Sequence, residues 1–221
     1  MPEPKPRKAP RQERSKQTVD AILEGCARLL REGDYGAVTT NHIAERAGVS
    51  IGSVYEFFPN KEAIVAALVE RRLAGLVDEV REGVEIALEV GDRGGAELLI
   101  RRIVDAVSSD RELYRVLLRQ APFVQRLAVT RQATAQLFEL GRAAAERARD
   151  AMNLPHLEED AWLISHMVSN AVLEIAFLDD RSKDRRLLTD ELVRLTFRMI
   201  QGRDPPRKRG QTTFRSNPRT E

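Results

Sequence analysis

The sequence predicts an all-α protein of about nine helices, with an N-terminal three-helix domain followed by a larger helical domain. Apolar residues recur at intervals of three and four along most of the 221 residues, which is the periodicity of amphipathic helices. No stretch alternates apolar and polar residues as a strand would, and no hairpin turn signal appears. With 42% hydrophobic and 32% charged residues, the chain is suited to a packed core with a well-solvated surface.

The first predicted helix begins at Ser15, and Gly33 and Gly36 end it. The apolar positions of this helix are Val19, Ile22, Leu23, Cys26, Leu29 and Leu30, which share one side. Because Cys26 lies on that side, we expect it to be a core residue.

Two short helices follow, separated by a break at Gly48. Thr39 or Thr40 is a suitable N-cap for the first of them, and Ser50 for the second. Pro59 stops the second helix.

Longer helices with few breaks make up the rest of the chain. The predicted segments are Lys61–Val90, 96–107, 112–118, 122–152, 159–178 and Arg185–Gln201. The sequences GDRGG, SSD and NLPHLEED are expected to be the main interruptions, and Pro122 is expected to start the helix that follows it.

Several function classes are excluded by composition. A single cysteine rules out an intrachain disulfide and a cysteine-cluster metal site, and the three histidines lie far apart without metal-binding spacing. No GxSxG turn or other catalytic constellation appears, so we do not expect an enzyme. No apolar run approaches the roughly 20 residues of a membrane span, and the N-terminus lacks the apolar region of a signal peptide. We expect a soluble, cytoplasmic protein with no membrane partner, no metal and no cofactor.

Charge is unevenly distributed along the chain, although the net charge is only +2. Residues 1–17 and residues 203–221 each carry six basic and two acidic residues, whereas residues 62–202 carry 20 basic and 24 acidic ones. Basic ends on a mildly acidic body suggest contact with a polyanion. The alternative is that residues 1–14 and 203–221 are a solvated, disordered arm and tail, and both alternatives remain open.

The segment TTNHIAERAGVSIGSVYEFFPNKEA, residues 39–63, has the pattern of a helix-turn-helix. Apolar residues would hold both short helices against the first helix, and Ala44 and Ala47 would allow close crossing. The second short helix would then project into the DNA major groove. Gly52 and Ser53 would let its backbone approach the duplex, and the helix N-terminus at Ser50 favours an anion.

The pattern T-T-x-x-I-A-x-x-A-G-V-S-x-G-x-x-Y-x-x-F-x-x-K-E resembles the signature of the TetR family of bacterial transcription regulators. The resemblance implies a DNA-binding domain over residues 15–76, with its helix-turn-helix at 39–58, and a ligand-binding and dimerisation domain over residues 77–202. It also implies homodimers that release their operator DNA when a small molecule binds.

Carried over by position, the resemblance assigns roles to particular residues. Thr40 and Asn41 would touch backbone or base, and Ser50, Ile51 and Gly52 would lie where the family reads bases. The phosphate contacts would come from Ser53, Tyr55 and Lys61. Phe57 departs from the family, which commonly has Tyr or His there, so a polar phosphate contact would be lost or replaced by packing. Glu56 would either accept a hydrogen bond from a cytosine amino group or point along the surface.

Three functions compete. The first is a homodimeric repressor of a palindromic operator, released by a small, largely apolar effector. The second is a constitutive DNA-binding or architectural protein without a ligand, and the third is an enzyme with a site in a helical bundle. The roughly 140 residues after the motif favour the first, since dimerisation alone needs far fewer.

The last two helices are predicted to form the dimer as a four-helix interface with isologous symmetry. The segment 159–178 is apolar almost all round, and the last helix carries an apolar stripe through Leu188, Leu192, Leu195 and Met199. Such a dimer would place two recognition helices roughly 34–36 Å apart on DNA.

Trp162, His166, Asn170 and Glu174 follow one another at intervals of four on the penultimate helix. Either this polar stripe crosses the dimer interface, or it lines an effector cavity. In the second case the cavity would hold Leu99, Ile103, Tyr114, Leu117, Phe123, Leu127, Phe138, Trp162, His166 and Asn170. The helix from Lys61 is expected to be the one element that touches both domains and so transmits the effector's signal.

Overall fold

The computed structural model describes residue 4, residues 13–178 and residues 184–201, and within these ranges it contains nine α-helices and no strand. The helices, numbered in chain order, are α1 (Glu13–Glu32), α2 (Thr40–Ala47), α3 (Ile51–Phe57), α4 (Lys61–Val90), α5 (Asp92–Ser108), α6 (Arg111–Arg119), α7 (Ala128–Arg147), α8 (Leu157–Ala176) and α9 (Arg185–Gln201). The predicted all-α fold class is confirmed. No helix in this part of the chain has the length and apolar content needed to cross a bilayer.

The predicted terminal segments fall largely outside these ranges. The arm was predicted over residues 1–14, but Glu13 and Arg14 are helical and belong to α1. Of the remaining twelve residues of the arm, the structure describes only Pro4. The tail predicted over residues 203–221 also lies outside them.

Side-chain caps define the short N-terminal helices. The Thr39 hydroxyl accepts a hydrogen bond from the amide of His42 at 3.2 Å, and the Ser50 hydroxyl accepts one from the amide of Ser53 at 3.0 Å. Between these helices Gly48 has a φ of 68°, a left-handed conformation that glycine adopts without steric cost. The sequence therefore specifies this turn locally, residue by residue.

The first core lies between α1, α2, α3 and the start of α4, and α6 packs into the same core. Its large members include Ile22, Leu30, Ile43, Val54, Phe58, Ile64, Leu68, Leu113, Val116 and Leu117. Cys26 is fully buried in this core, and burial raises the pKa of its thiol to about 12, so the thiol stays neutral at physiological pH. Cys26 is a core residue, as predicted.

The second core joins α5, α8 and α9. Its buried members are Ile100, Val104, Val107, Val172, Ile175, Ala176 and Val193. α4, a 30-residue helix about 45 Å long at about 1.5 Å per residue, runs beside α5 and α7 and links this region to the first core.

The expectation that α4 is the one element touching both regions is wrong, because α6 also packs directly on α1. At the contact, Arg31 of α1 donates two hydrogen bonds to the Asp110 carboxylate, at 2.7 and 2.8 Å. Arg72 of α4 lies 3.5 Å from the same carboxylate and 3.8 Å from Glu24. The Asp110 carboxylate raises the pKa of Arg31 further above its usual value, so this guanidinium is charged at any physiological pH.

A second set of contacts holds the same two regions together. The side chain of Gln120, at the end of α6, accepts from the amide of Tyr35 and donates to Asp34, both at 3.0 Å. The ring centroids of Tyr35 and Phe123 are 6.0 Å apart. The turn before α2 is therefore tied to the segment that follows α6.

Two predicted helix starts were wrong. α5 begins at Asp92 and not at residue 96, so Gly94 and Gly95 are helical. Pro122 does not start a helix, since α7 begins at Ala128 after a 3-10 turn at Val124–Arg126. In that segment Ala121, Val124 and Leu127 are buried at intervals of three, which matches the three residues per turn of a 3-10 helix.

Gly95 is required by the close approach of α5 to α4. A Cβ at this position would lie 2.1 Å from the carbonyl oxygen of Ala87. We expect Gly95→Ala to lower the free energy of unfolding by roughly 1–3 kcal/mol, as overpacking does, when measured by urea denaturation. Gly75→Ala is the matched control, because no atom lies within 4 Å of its added Cβ and alanine favours the helix. Equal stabilities of the two variants would contradict this packing.

The Arg31–Asp110 pair is expected to stabilise the α1–α6 contact. Asp110→Asn keeps the side-chain shape but removes the charge that two arginines face, so the free energy of unfolding should fall by about 1–3 kcal/mol. Asp78→Asn is the control, because Asp78 is exposed and pairs with Arg81 one turn away. It should cost no more than about 0.5 kcal/mol. An equal decrease in the free energy of unfolding in both variants would show that the Arg31–Asp110 pair stabilises the protein no more than an exposed ion pair does.

Candidate nucleic-acid interface and ligand cleft

The inner sides of α2 and α3 are fixed by burial. The buried residues of this motif are Ile43, Ala44, Val54, Phe57 and Phe58. α2 crosses α1 where Ala47 faces Gly25, and a Cβ at Gly25 would lie 3.0 Å from the Ala47 nitrogen. Ala44 and Ala47 were predicted to allow this crossing, whereas Gly25 was not, because nothing in a sequence shows what lies across from a helical glycine.

The outer side of α3 presents its first turn and one aromatic ring. Ile51 is 38% exposed and Tyr55 is 42% exposed, although both are large hydrophobic residues. Asn41, Ser50 and Gly52 are exposed beside them. Five of the predicted DNA-contact residues thus share an open surface at the turn between α2 and α3.

Two pairs of hydroxyl groups lie on this surface, and one of these pairs connects the two helices. The Thr40 and Tyr55 hydroxyls lie 3.1 Å apart, and those of Ser50 and Ser53 lie 2.9 Å apart. The Thr40–Tyr55 bond ties the start of α2 to the middle of α3. It fixes the direction of the Tyr55 ring with respect to both helices.

Lys61 is placed differently from the other predicted contacts. Its ammonium donates a 3.0 Å hydrogen bond to the Tyr35 carbonyl and lies 4.1 Å from the centroid of the Tyr35 ring. The Tyr35 hydroxyl in turn donates to Glu62 at 3.1 Å, and burial raises the pKa of Tyr35. Lys61 therefore holds the turn before α2, and a phosphate contact by this residue stays a prediction.

Arg46 is the one Lys or Arg within residues 39–58, and it is paired. Arg46 at the end of α2 forms a bidentate pair with Glu32 of α1, at 2.6 and 2.7 Å, and this bond lowers the pKa of Glu32. Glu56 is exposed on α3. The surface offers hydroxyls, an amide side chain and the N-terminus of α3 as its main polar groups.

A cleft of about 960 Å³ lies between α4 and α5, and residues at the start of α6 also line it. Its lining includes Arg71, Arg72, Arg101 and Arg102 together with Leu76, Ile86, Leu98 and Tyr114. The cleft reaches Asp110, so it opens beside the ion pairs that join α1 to α6.

The structure does not bring the ten predicted effector residues into one cavity. Leu117 and Leu127 are buried in the first core, with Phe123 packed against it. Ile103 packs against the second core, and Leu99 lies against Gly83 of α4. Tyr114 alone lines the large cleft.

The remaining predicted effector residues lie at α8. Phe138, Trp162 and His166 line a separate groove of about 350 Å³ between α7 and α8, in which the rings of Trp162 and His166 are stacked with centroids 4.1 Å apart. Asn170 is exposed. The ten residues predicted to line one cavity therefore lie in several separate places.

The polar stripe of α8 needs no outside partner in this protomer. His166 Nδ1 lies 3.0 Å from the Trp162 carbonyl, and Asn170 donates to the His166 carbonyl at 2.8 Å. Glu174 lies 3.6 Å from Arg119 and is largely exposed. Within one protomer the stripe is not buried, since it lies beside Leu163 and Met167, which are both more than half exposed. Its burial by a partner subunit stays a prediction.

Comparison with known proteins identifies the N-terminal part of the chain. Residues 22–68 match the model of the family described as bacterial regulatory proteins, tetR family. An uncharacterized HTH-type transcriptional regulator of Mycobacterium tuberculosis is 30% identical over 80 residues, or 36% of this chain. That match spans 40% of the length of the mycobacterial relative.

Longer matches extend beyond the motif. The HTH-type transcriptional repressor KstR of Rhodococcus jostii is 26% identical over 188 residues, which cover 82% of each chain. The crystal structure of the transcriptional regulator FadR from Bacillus subtilis, in complex with stearoyl-CoA, has a TM-score of 0.63 at 19% identity. That likeness covers 84% of this chain and 99% of the FadR chain, and it shows a shared fold. The helix-turn-helix region therefore matches the tetR family of bacterial regulatory proteins, as its motif predicted, and the chain shares its fold with FadR.

Proposed function

We propose that this protein is a sequence-specific DNA-binding transcriptional regulator, acting as a homodimeric repressor that a small molecule releases from its operator. The observation that carries the proposal is the geometry of α3. Its inner side is buried, whereas Ile51 and Tyr55 stand exposed on its outer side. A short, rigid helix with an open outer face is what insertion into the major groove requires.

In this proposal the residues of the open surface divide into two roles. Ile51, Gly52 and Ser50 at the start of α3 face base edges, and Asn41 contributes from α2. Tyr55, Ser53, Thr40 and Lys61 bind phosphates and set the register. Phosphate contacts position a protein on DNA without reading sequence, whereas base contacts specify it.

The proposed dimer is supported by exposed apolar residues on the last two helices. Trp162, Leu163 and Met167 of α8 are between 47% and 55% exposed, and Leu187 and Leu195 of α9 are 56% and 43% exposed. Such a concentration of exposed apolar side chains marks an interaction surface. A two-fold contact between α8–α9 pairs would cover it.

The proposed response to a small molecule is supported by the cleft between α4 and α5. Its volume of about 960 Å³ lies at the upper end of the range of about 300–1,000 Å³ for ligand sites. FadR from Bacillus subtilis, which shares the fold, was crystallised with stearoyl-CoA. The cleft favours a regulator with a ligand over a constitutive DNA-binding protein.

Selection of bound duplexes from a random DNA pool tests the proposal. We expect a palindromic consensus, and we expect Ile51→Ala to change the preferred bases. Tyr55→Phe and Lys61→Ala should instead weaken binding to all sequences, by about tenfold for Tyr55, since a hydrogen bond to a charged acceptor contributes on the order of 1.5 kcal/mol.

Tyr114→Phe is the matched control, because it removes the same hydroxyl from α6, far along the chain from α3. It should leave DNA affinity unchanged. Equal affinity of the unaltered protein for all duplexes, measured at a fixed salt concentration, would rule out a sequence-specific regulator.

The dimer is tested by Met167→Glu, which places a charge among the exposed apolar residues of α8. We expect sedimentation equilibrium at micromolar concentration to give a dimer for the unaltered protein and a monomer for the variant, since an unpaired charge is costly to bury. Val90→Glu is the control, because Val90 is 55% exposed but lies at the end of α4. Dimers of unchanged strength in both variants would place the interface elsewhere.

A further inference from the structure

The cleft between α4 and α5 is lined by four arginines, of which Arg71 and Arg72 belong to α4, and Arg101 and Arg102 to α5. Guanidinium groups stay charged in proteins and present several fixed donors. Four guanidinium groups along one cleft carry many hydrogen-bond donors, and these donors require acceptors.

The acceptors present are carboxylates of the protein itself. Arg101 pairs with Glu97 and Asp190, and Arg102 pairs with Glu79 at 2.9 Å. Arg71 pairs with Asp20 of α1. These three guanidinium groups therefore have anionic partners before any ligand arrives.

Arg72 is the exception in this set. Its Nε is buried and has no hydrogen-bond acceptor. Its terminal nitrogen reaches its two carboxylates only at 3.5 Å, to Asp110, and 3.8 Å, to Glu24. A buried donor without an acceptor costs free energy, and the long contacts of the terminal nitrogen leave Arg72 the least well satisfied of the four arginines.

Besides the arginines and the carboxylates of Glu79, Glu97, Asp105 and Asp110, apolar side chains line the cleft. Leu76 and Ile86 line it from α4, and Leu98 lines it from α5. Tyr114 also lines the cleft, and burial raises the pKa of its hydroxyl, so that it stays a donor. An apolar wall beside one or two convergent donors is the usual composition of a small-molecule site.

We infer that this cleft binds an amphipathic organic anion, with a carboxylate or phosphate head at Arg72 and an apolar body along α4 and α5. The inference rests on the proposed function, for which it names the chemical class and the place of the effector. The anion would compete with Asp110 for Arg72. Asp110 also accepts hydrogen bonds from Arg31 of α1, so a change in the Arg72–Asp110 contact would act directly on the packing of α1.

Calorimetric titration of the full-length protein with decanoate and decanamide tests the class of ligand. The two probes share an apolar chain and differ in charge, and both are used below the concentration at which decanoate forms micelles. We expect decanoate to bind at least about tenfold more tightly, because charge-assisted hydrogen bonds are about twice as strong as neutral ones. Decyl phosphate in a third titration shows which anionic head binds better. Equal affinities of decanoate and decanamide, or no binding by any probe, would overturn the inference.

Two variants test the assigned residues. Arg72→Gln should weaken decanoate binding at least about tenfold and leave decanamide binding unchanged. Asp110→Asn should tighten decanoate binding several-fold, because it removes the competing carboxylate. Arg142→Gln is the control, since Arg142 pairs with Glu139 on α7 and does not line the cleft. Unchanged decanoate affinity in Arg72→Gln, or weaker affinity in Asp110→Asn, would refute the placement at Arg72.

These titrations keep the inference separate from the proposed function. They contain no DNA, so a failure of sequence-specific DNA binding leaves their result standing. Should either variant fail to fold by circular dichroism, the comparison of decanoate with decanamide on the unaltered protein still decides the class of ligand. A fall in decanoate affinity as sodium chloride is raised, with decanamide unaffected, supports the same conclusion without any variant.

Discussion

The burial of α6 in the core of the helix-turn-helix is the interaction on which the rest of the structure depends. Leu113, Val116 and Leu117 are each no more than 3% exposed, and they lie among side chains of α1 and α4. Without α6 the first core would lose one of its walls. The N-terminal helices are therefore not a self-contained unit joined to the rest by α4 alone, because part of their packing comes from residues some 50 positions after the motif.

This packing has a consequence for the recognition surface. Val54, Phe57 and Phe58 are held in the core, so α3 has a fixed orientation and its exposed residues project from a rigid base. The surface itself offers few available basic side chains, because Arg46 is paired with Glu32 and Lys61 is bonded to the Tyr35 carbonyl. Shape, hydroxyl groups and the helix N-terminus then carry more of the proposed contact with DNA than in proteins whose reading helix is strongly basic.

The sequence predicted what is encoded locally. Thr39 and Ser50 are caps, Gly48 is a left-handed turn, and α4 has the predicted bounds, because each depends on residues within a few positions of one another. Gly95 looked like part of a loop and is helical, since its role is to let α5 approach a carbonyl group of α4. The scattering of the predicted effector residues has the same cause: helical periodicity shows that a face is buried, but not which helix lies against it.

The position of the cleft explains how binding of an anion at Arg72 would affect the N-terminal core. Arg72 lines the cleft, and Arg72 and Arg31 share the Asp110 carboxylate, so only two side chains separate a bound group from α1. Coupling between two sites is reciprocal, and typical values are about 1–3 kcal/mol. The net contribution of a hydrogen bond to a charged group is about 1.5–3 kcal/mol. The free energy of the hydrogen bonds to one shared carboxylate is therefore large enough to couple ligand binding in the cleft to the orientation of α1. A coupling of this size does not require a larger rearrangement of α4.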